Sequence, residues 1–227
     1  MIWALNGGER VLATPHGRAV CATCGGDVMA KCGEINIWHW SHINNDCDSW
    51  SEPETPWHLE WKERFPKGWQ EVRVGNHRAD VKTPKCVVEI QNSMISPSEI
   101  EERERHYGRM VWIVAAHEFA GNFSLRWPHP TCPVCGNRPD SELDGCCGSQ
   151  LLVRTDYITF RWRHPRKSWF AAKRPIFLDF GWPIIDPNLR LLEIKKLGCG
   201  VPCGGWGIPI SGPELLQRCG IGGGIDG

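Results

Sequence analysis

The sequence predicts an α+β protein, with a core in the order α-β-β-β-α-β flanked on both sides by short zinc-stabilised β-ribbon elements. Three observations carry this reading. Trp57, Trp61 and Phe65 recur with helical spacing, and strand-like patterning follows from 71 to 91. A second helix signature, Ser96-Pro97-Ser98-Glu99, precedes a short apolar run from 110 to 116. Outside this core lie the cysteine pairs Cys21-x2-Cys24 and Cys132-x2-Cys135, whose spacing suits zinc.

Each core element has a local cause. Thr55 is a good N-cap, and Pro56 a good first residue, for a helix over 57–65. Strands over 71–74 and 77–81 are joined at Gly75-Asn76, residues that accept the positive φ of a tight hairpin turn. A third strand covers 86–91. The Ser96–Glu99 capping box, with proline at the first helical position, starts a helix that runs to about Arg109. The last core strand spans 110–116.

Three regions follow: 1–50, a zinc-ribbon-like segment; 51–127, the core; and 128–227, rich in cysteine, glycine and proline. In the first, short apolar stretches at 18–20 and 35–38 suggest β-hairpins held by a metal rather than by a core. In the third, 154–174 carries seven arginines and lysines against Asp156 alone, interleaved with Tyr157, Phe160, Trp162, Trp169 and Phe170. Cations alternating with aromatics suit single-stranded nucleic acid, or else an amphipathic strand pair with a solvated basic face. Past Gly198 the glycine density predicts loops or a poorly ordered tail.

The chain of 227 residues is long enough for one good core with small appendages. Its formal charge is zero, so nucleic-acid binding requires local patches rather than a global basic signature. No apolar run reaches the length of a membrane span, and Met1-Ile2-Trp3-Ala4 lacks signal-peptide order. A cytoplasmic protein with no membrane partner is expected. In a reducing compartment the 12 cysteines point to zinc rather than disulfides.

Asp80 ends one predicted strand and Glu89 sits within the next, while Gln91, two residues on, shares the face of Glu89. A hairpin sets such residues side by side. Two carboxylates and an amide on one face are hard oxygen ligands suited to Mg²⁺ or Mn²⁺, which would activate water against a phosphodiester. Their neighbours are apolar, so these strands are expected to be partly buried, where an unpaired carboxylate is unfavourable.

Asp80-x8-Glu89-x-Gln91 resembles the D-x(n)-E-x-Q variant of the PD-(D/E)XK nuclease motif. More narrowly, the chain is similar to the competence protein CoiA family. The similarity runs through Glu54-Thr55-x2-His58-x3-Lys62, Arg78-Ala79-Asp80-Val81, Val88-Glu89-Ile90-Gln91-x-Ser93-x2-Ser96, Glu102-Arg103-x3-Tyr107 and Trp112-Ile113. Upstream, Cys21-x2-Cys24 and His39-Trp40-Ser41-His42 resemble that family's N-terminal zinc-ribbon segment. About half the chain is covered, from 18 to 116. The resemblance implies a nuclease core in which Asp80, Glu89 and Gln91 are catalytic, with Glu54 as an additional metal ligand or a surface carboxylate. It makes Arg78, beside the site, a candidate substrate-binding residue. His58 and Lys62 share a helix face, as do Arg103 and Tyr107, and both pairs are candidates for phosphate contacts. Two departures stand out: Gln91 replaces the commoner lysine and cannot take a proton, and Thr55 stands where serine is expected.

Cys21, Cys24, His42 and Cys47 have the ligand types of a closed structural zinc site, with His39 competing for a place. Cys132 and Cys135 form the first half of a second site, whose other half is open among Cys146, Cys147, Cys199 and Cys203. Cys32, Cys86 and Cys219 read as unpaired thiols. The expectation is a metal-dependent deoxyribonuclease acting on DNA, whose strand preference is open, with a possible protein partner through the C-terminal region. The alternatives are a non-catalytic DNA-processing factor and a zinc-ribbon interaction adaptor.

Overall fold

The computed structural model describes residues 1–44, 47–126, 157–181, 190–198 and 203–222. Within these the chain is mixed α+β, with its strands in two sheets. The smaller sheet comprises β1 (Trp3–Asn6), β2 (Glu9–Leu12), β3 (Arg18–Val20), β4 (Asp27–Lys31) and β5 (His39–His42), in the order β2-β1-β3-β4-β5. Ala4, Ala13, Cys21, Val28 and Trp40 give it a small apolar interior of its own. The strand expected over 35–38 does not form. Ile35 is 96% exposed, and the indole of Trp38 closes a bend by donating to the Gly33 carbonyl. Pairing begins only at His39, because Trp40 is the residue that reaches the interior, opposite Ala30.

The central segment contains α1 (Pro56–Glu63), β6 (Gln70–Val74), β7 (His77–Lys82), β8 (Val87–Gln91), α2 (Pro97–Tyr107) and β9 (Met110–Ala115). The caps are those expected: Thr55 Oγ1 accepts from the His58 amide and Ser96 Oγ from the Glu99 amide. Gly75, at φ 62°, makes the β6–β7 turn. The β6-β7-β8 run is antiparallel, whereas α2 crosses over to make β9 parallel to β8.

The sheet continues beyond the core region. β10 (Phe123–Arg126), β11 (Ile158–Trp162), β12 (Ile176–Asp179), β13 (Leu191–Gly198) and β14 (Gly204–Ile210) complete nine strands in the order β10-β11-β14-β13-β12-β9-β8-β7-β6. Residues on both sides of position 127 therefore share one sheet. The tail expected after Gly198 is replaced by β14 and by α3 (Gly212–Cys219), capped by Ser211. The glycines misled because they serve close packing. A Cβ at Gly204, Gly205 or Gly207 would collide with the carbonyls of Phe160, Lys196 and Glu193 respectively.

Two apolar layers cover the sheet. On one side α2 and the 3₁₀ turn Lys167–Ala171 meet Trp112, Phe160, Trp162 and Trp169; on the other, α1 and α3 bury Trp61, Phe65, Ile113 and Leu215. Three aromatics of the basic stretch are thus core residues, which corrects the expectation that they stack on bases. No helix among the described residues is long and apolar enough to cross a membrane.

Candidate active site and zinc centre

The β7–β8 ladder pairs Val81 with Val88 and Lys82 with Val87, and beyond that point side chains take over from backbone. The Asp80 amide donates to Glu89 Oε1 (3.2 Å), and the Ile90 amide donates to Asp80 Oδ2 (2.9 Å). Each carboxylate occupies a place where a ladder carbonyl would sit. The two strands splay there, and both carboxylates face a narrow opening.

That opening is a cavity of about 20 Å³, room for little more than one water-sized occupant. Among its lining residues are Glu54, His58, Lys62, Arg78, Asp80, Glu89, Gln91 and Arg103, eight of the nine residues proposed from the core motifs. The ninth, Tyr107, does not line it. Its ring packs edge-on against Trp50 (5.8 Å), with its phenol pushed far above the usual value by burial and then by Glu89 and Asp80. Arg103 lines the cavity but is committed elsewhere: it donates to Glu89 Oε2 (2.8 Å), Glu99 Oε1 (2.5 Å) and the Trp50 carbonyl (2.8 Å). Arg103 thus forms internal ion pairs with Glu89 and Glu99.

Lys62 is equally committed. Its Nζ lies 2.6 Å from Glu54 Oε1, 3.1 Å from Glu71 Oε1 and 3.2 Å from Asp80 Oδ1. Burial alone would favour loss of its proton, but Glu71, Glu54 and Asp80 hold it charged, well above the ordinary lysine range. Glu71 also accepts from the Ile2 and Trp3 amides, joining β1 to the site. It adopts φ 49°, a region non-glycine residues rarely occupy, and it falls between the paired positions Gln70 and Val72.

Sequence reasoning missed Glu52. Its carboxylate takes the Gln91 amide nitrogen and Ser93 Oγ (2.5 Å for the latter), and it stands 3.5 Å from His58 Nε2. The ring of His58 is fixed at its other nitrogen, 2.8 Å from Thr55 Oγ1. Burial would lower the His58 pKa, but Glu52, Asp80 and Glu54 together raise it. Three buried polar atoms of cavity-lining residues, His58 Nε2, Glu54 Oε2 and Arg103 Nε, lack a hydrogen-bond partner among the described residues. Burial and the facing Asp80 push the Glu89 carboxyl up to about 8, with Arg103 pulling the other way. A cation shared between Asp80 and Glu89 would relieve that repulsion.

The second cluster belongs to the small sheet. Ligand atoms of Cys21, Cys24, His42 and Cys47 all lie within 4.8 Å of one another, a Cys3His set compatible with structural zinc. The Cys21-x2-Cys24 turn aims amides at sulfur: Thr23 N donates to Cys21 Sγ and Gly26 N to Cys24 Sγ, each at 3.3 Å. Gly25 permits the turn with φ 73°. Burial would raise the Cys21 pKa, but the backbone amides of Cys24 and Thr23 lower it, while burial and the neighbouring Cys24 and Cys21 push Cys47 up to about 12. His39 stands apart from the cluster, its Nδ1 bonded to the Ile37 carbonyl, which resolves the choice of ligands in favour of His42 and Cys47. Cys132 and Cys135 lie outside the described residues. Comparison of the chain with protein families, with curated proteins and with solved structures gives no match.

Proposed function

We propose that the protein is a metal-dependent deoxyribonuclease with a PD-(D/E)XK core, of the competence protein CoiA kind, whose second metal is a structural zinc. The observation that carries the reading is the interlocked pair Asp80–Glu89 opening on one cavity with Glu54, His58, Lys62, Arg78 and Gln91. Its donor set of carboxylate oxygens suits a hard divalent ion, and Glu54 Oε2 is buried without a hydrogen-bond partner among the described residues. Asp80 and Glu89 would hold Mg²⁺ or Mn²⁺, with Glu54 in reserve. Such an ion lowers the pKa of water and offsets charge on the scissile phosphate.

The chain's own groups do the rest. His58 presents Nε2 to the cavity with its ring fixed by Thr55, so it is placed to receive a proton from attacking water. Gln91 carries no proton to exchange. Its amide nitrogen is spent on Glu52, which leaves its carbonyl oxygen to orient water. Water adds to phosphorus, the bond to the leaving oxygen breaks, and that oxygen takes up a proton.

A second reading is favoured by one observation: Lys62 and Arg103 already place positive charge on Asp80 and Glu89. A DNA-processing factor without turnover would keep such an internally neutralised site. Incubating single- and double-stranded DNA with Mg²⁺, with Mn²⁺ or with neither decides between them. The nuclease reading expects ion-dependent cleavage that falls roughly a hundredfold or more in Asp80→Asn, which keeps an acceptor for Ile90 but loses the charge. Binding without cleavage under every condition supports the second reading.

A further inference from the structure

The outer end of the nine-stranded sheet carries an exposed row that no core function explains. Strand registers set Arg126 opposite Thr159, Thr159 opposite Trp206, and Trp206 opposite Lys196, across β10, β11, β14 and β13. Directly paired residues point to the same face, so these four form one line about 15 Å long at the usual strand spacing. Arg161, two residues from Thr159, shares that face beside them. The opposite face of β11, with Ile158, Phe160 and Trp162, is buried in the core. Trp206 remains 37% exposed, and Tyr157, 39% exposed, meets it edge-on at 5.8 Å.

Arg126, Arg161 and Lys196 are exposed, and none takes part in an ion pair among the described residues. By contrast, Lys62, Arg103, Arg190 and Arg218 are each paired with a carboxylate. Three unpaired cations around an exposed indole on a sheet face therefore form a local basic surface. Its chemistry is specific: cations for phosphates, and a flat aromatic for a base whose face is free. Duplex bases are already stacked and offer no such face.

We propose that this face, centred on Trp206 and flanked by Arg126, Arg161 and Lys196, binds single-stranded nucleic acid. The proposal deepens the nuclease reading by giving the strand a holding surface away from the cavity, but its geometry does not depend on catalysis. Binding of a labelled oligothymidine, an oligouridine and a DNA duplex, measured by anisotropy without divalent ion over a range of salt, tests it. Trp206→Ala should weaken oligothymidine binding roughly tenfold, with Trp206→Phe close to wild type, because only the alanine removes the stacking surface. The triple change Arg126→Ala, Arg161→Ala and Lys196→Ala should reduce the log–log salt slope by about 2, at roughly 0.7 per phosphate contact. The ratio of oligouridine to oligothymidine affinity tells RNA from DNA as the preferred strand. Wild-type affinity and slope in both variants, or tighter wild-type binding to duplex than to single strands, overturns the surface whatever the cleavage assay gives. Loss of binding in these variants, in a protein that cleaves nothing, sustains the surface and removes the nuclease reading.

Discussion

Glu71 is the residue on which the two halves of the site lean. It accepts amides from β1, it pairs with Lys62, and it holds a strained φ to do both. Burial would raise its pKa, but Lys62 and neighbouring positive groups drive it far below the ordinary value of 4.5. A folded-state pKa below the unfolded one means the ionised carboxylate contributes stability that is fully present above about 4.5. That contribution is lost as pH falls below it. Urea unfolding between pH 7 and 3 should therefore show wild-type stability dropping in the acid limb, with Glu71→Gln less stable at neutral pH and flatter below it. An unchanged acid limb in Glu71→Gln would show that this carboxylate is not the titrating group. Similar reasoning selects the probe for Glu89: truncation to alanine would leave Arg103 buried beside an absent partner, typically worth about 3–5 kcal/mol, so Glu89→Gln is the cleaner test. At this scale Asp80, Glu89 and Gln91 were legible because their signal is local, a spacing within one hairpin. Glu52 and Glu71 were not, since their importance comes from Ser93, His58, Lys62 and the β1 backbone, contacts that no periodicity encodes.

The helix α1 shows the same division at the level of elements. Its start at Thr55-Pro56 and its buried Trp61, with Phe65 just past its end, could be read directly. Its anchor could not. The indoles of Trp57 and Trp61 both donate to Asp179 Oδ2, at 2.9 and 2.7 Å, from the end of β12 more than a hundred residues away. Asp179 is fully buried, and it also receives the Gly181 amide and lies 3.5 Å from Arg190 Nε. Because α1 carries His58 and Lys62 into the cavity, Asp179 positions both from behind. Asp179→Ala leaves two indole N–H groups without an acceptor, and at about 1–3 kcal/mol each the loss should be on the order of 3 kcal/mol in urea unfolding. Cleavage should fall with it, whereas zinc content should stay at the wild-type level. A change below about 0.5 kcal/mol would mean that α1 is seated by apolar packing alone. The strands after residue 157 were illegible for a related reason. Their glycines and arginines look like loop composition, and only the pairing of β11, β13 and β14 shows that the glycines make room and the arginines lie on a solvent face.

At the scale of the whole molecule, two of the ties between the small sheet and the large one lead to the cavity. One runs from β1 through Glu71 to Lys62 and Asp80. The other starts at the zinc-ligand candidate Cys47. Asp48, the next residue, is buried and accepts from the Trp50 amide (3.0 Å) and the Arg78 amide (2.7 Å), with His77 Nδ1 2.9 Å away. Trp50 stacks on His77 at 3.3 Å, and Trp50, Ser51, Glu52 and Glu54 then wall the cavity before Thr55 caps α1. Six residues thus separate a cysteine of the metal cluster from Glu54, and Asp48 pins the start of that segment to the strand that bears Asp80. Zinc at Cys21, Cys24, His42 and Cys47 should accordingly fix the wall of the cavity as well as the fold of the ribbon. Stripping zinc with a chelator should speed amide hydrogen exchange over 48–54 and at Arg78 by roughly tenfold or more, while β8 and β9 stay protected. Asp48→Ala should reproduce that local change with a full equivalent of zinc still bound, which separates a loosened wall from general unfolding. If exchange over 48–54 is unchanged in Asp48→Ala, the wall is held instead by Arg103 on the Trp50 carbonyl and by Glu52 on Gln91 and Ser93, and the ribbon's metal serves the ribbon alone.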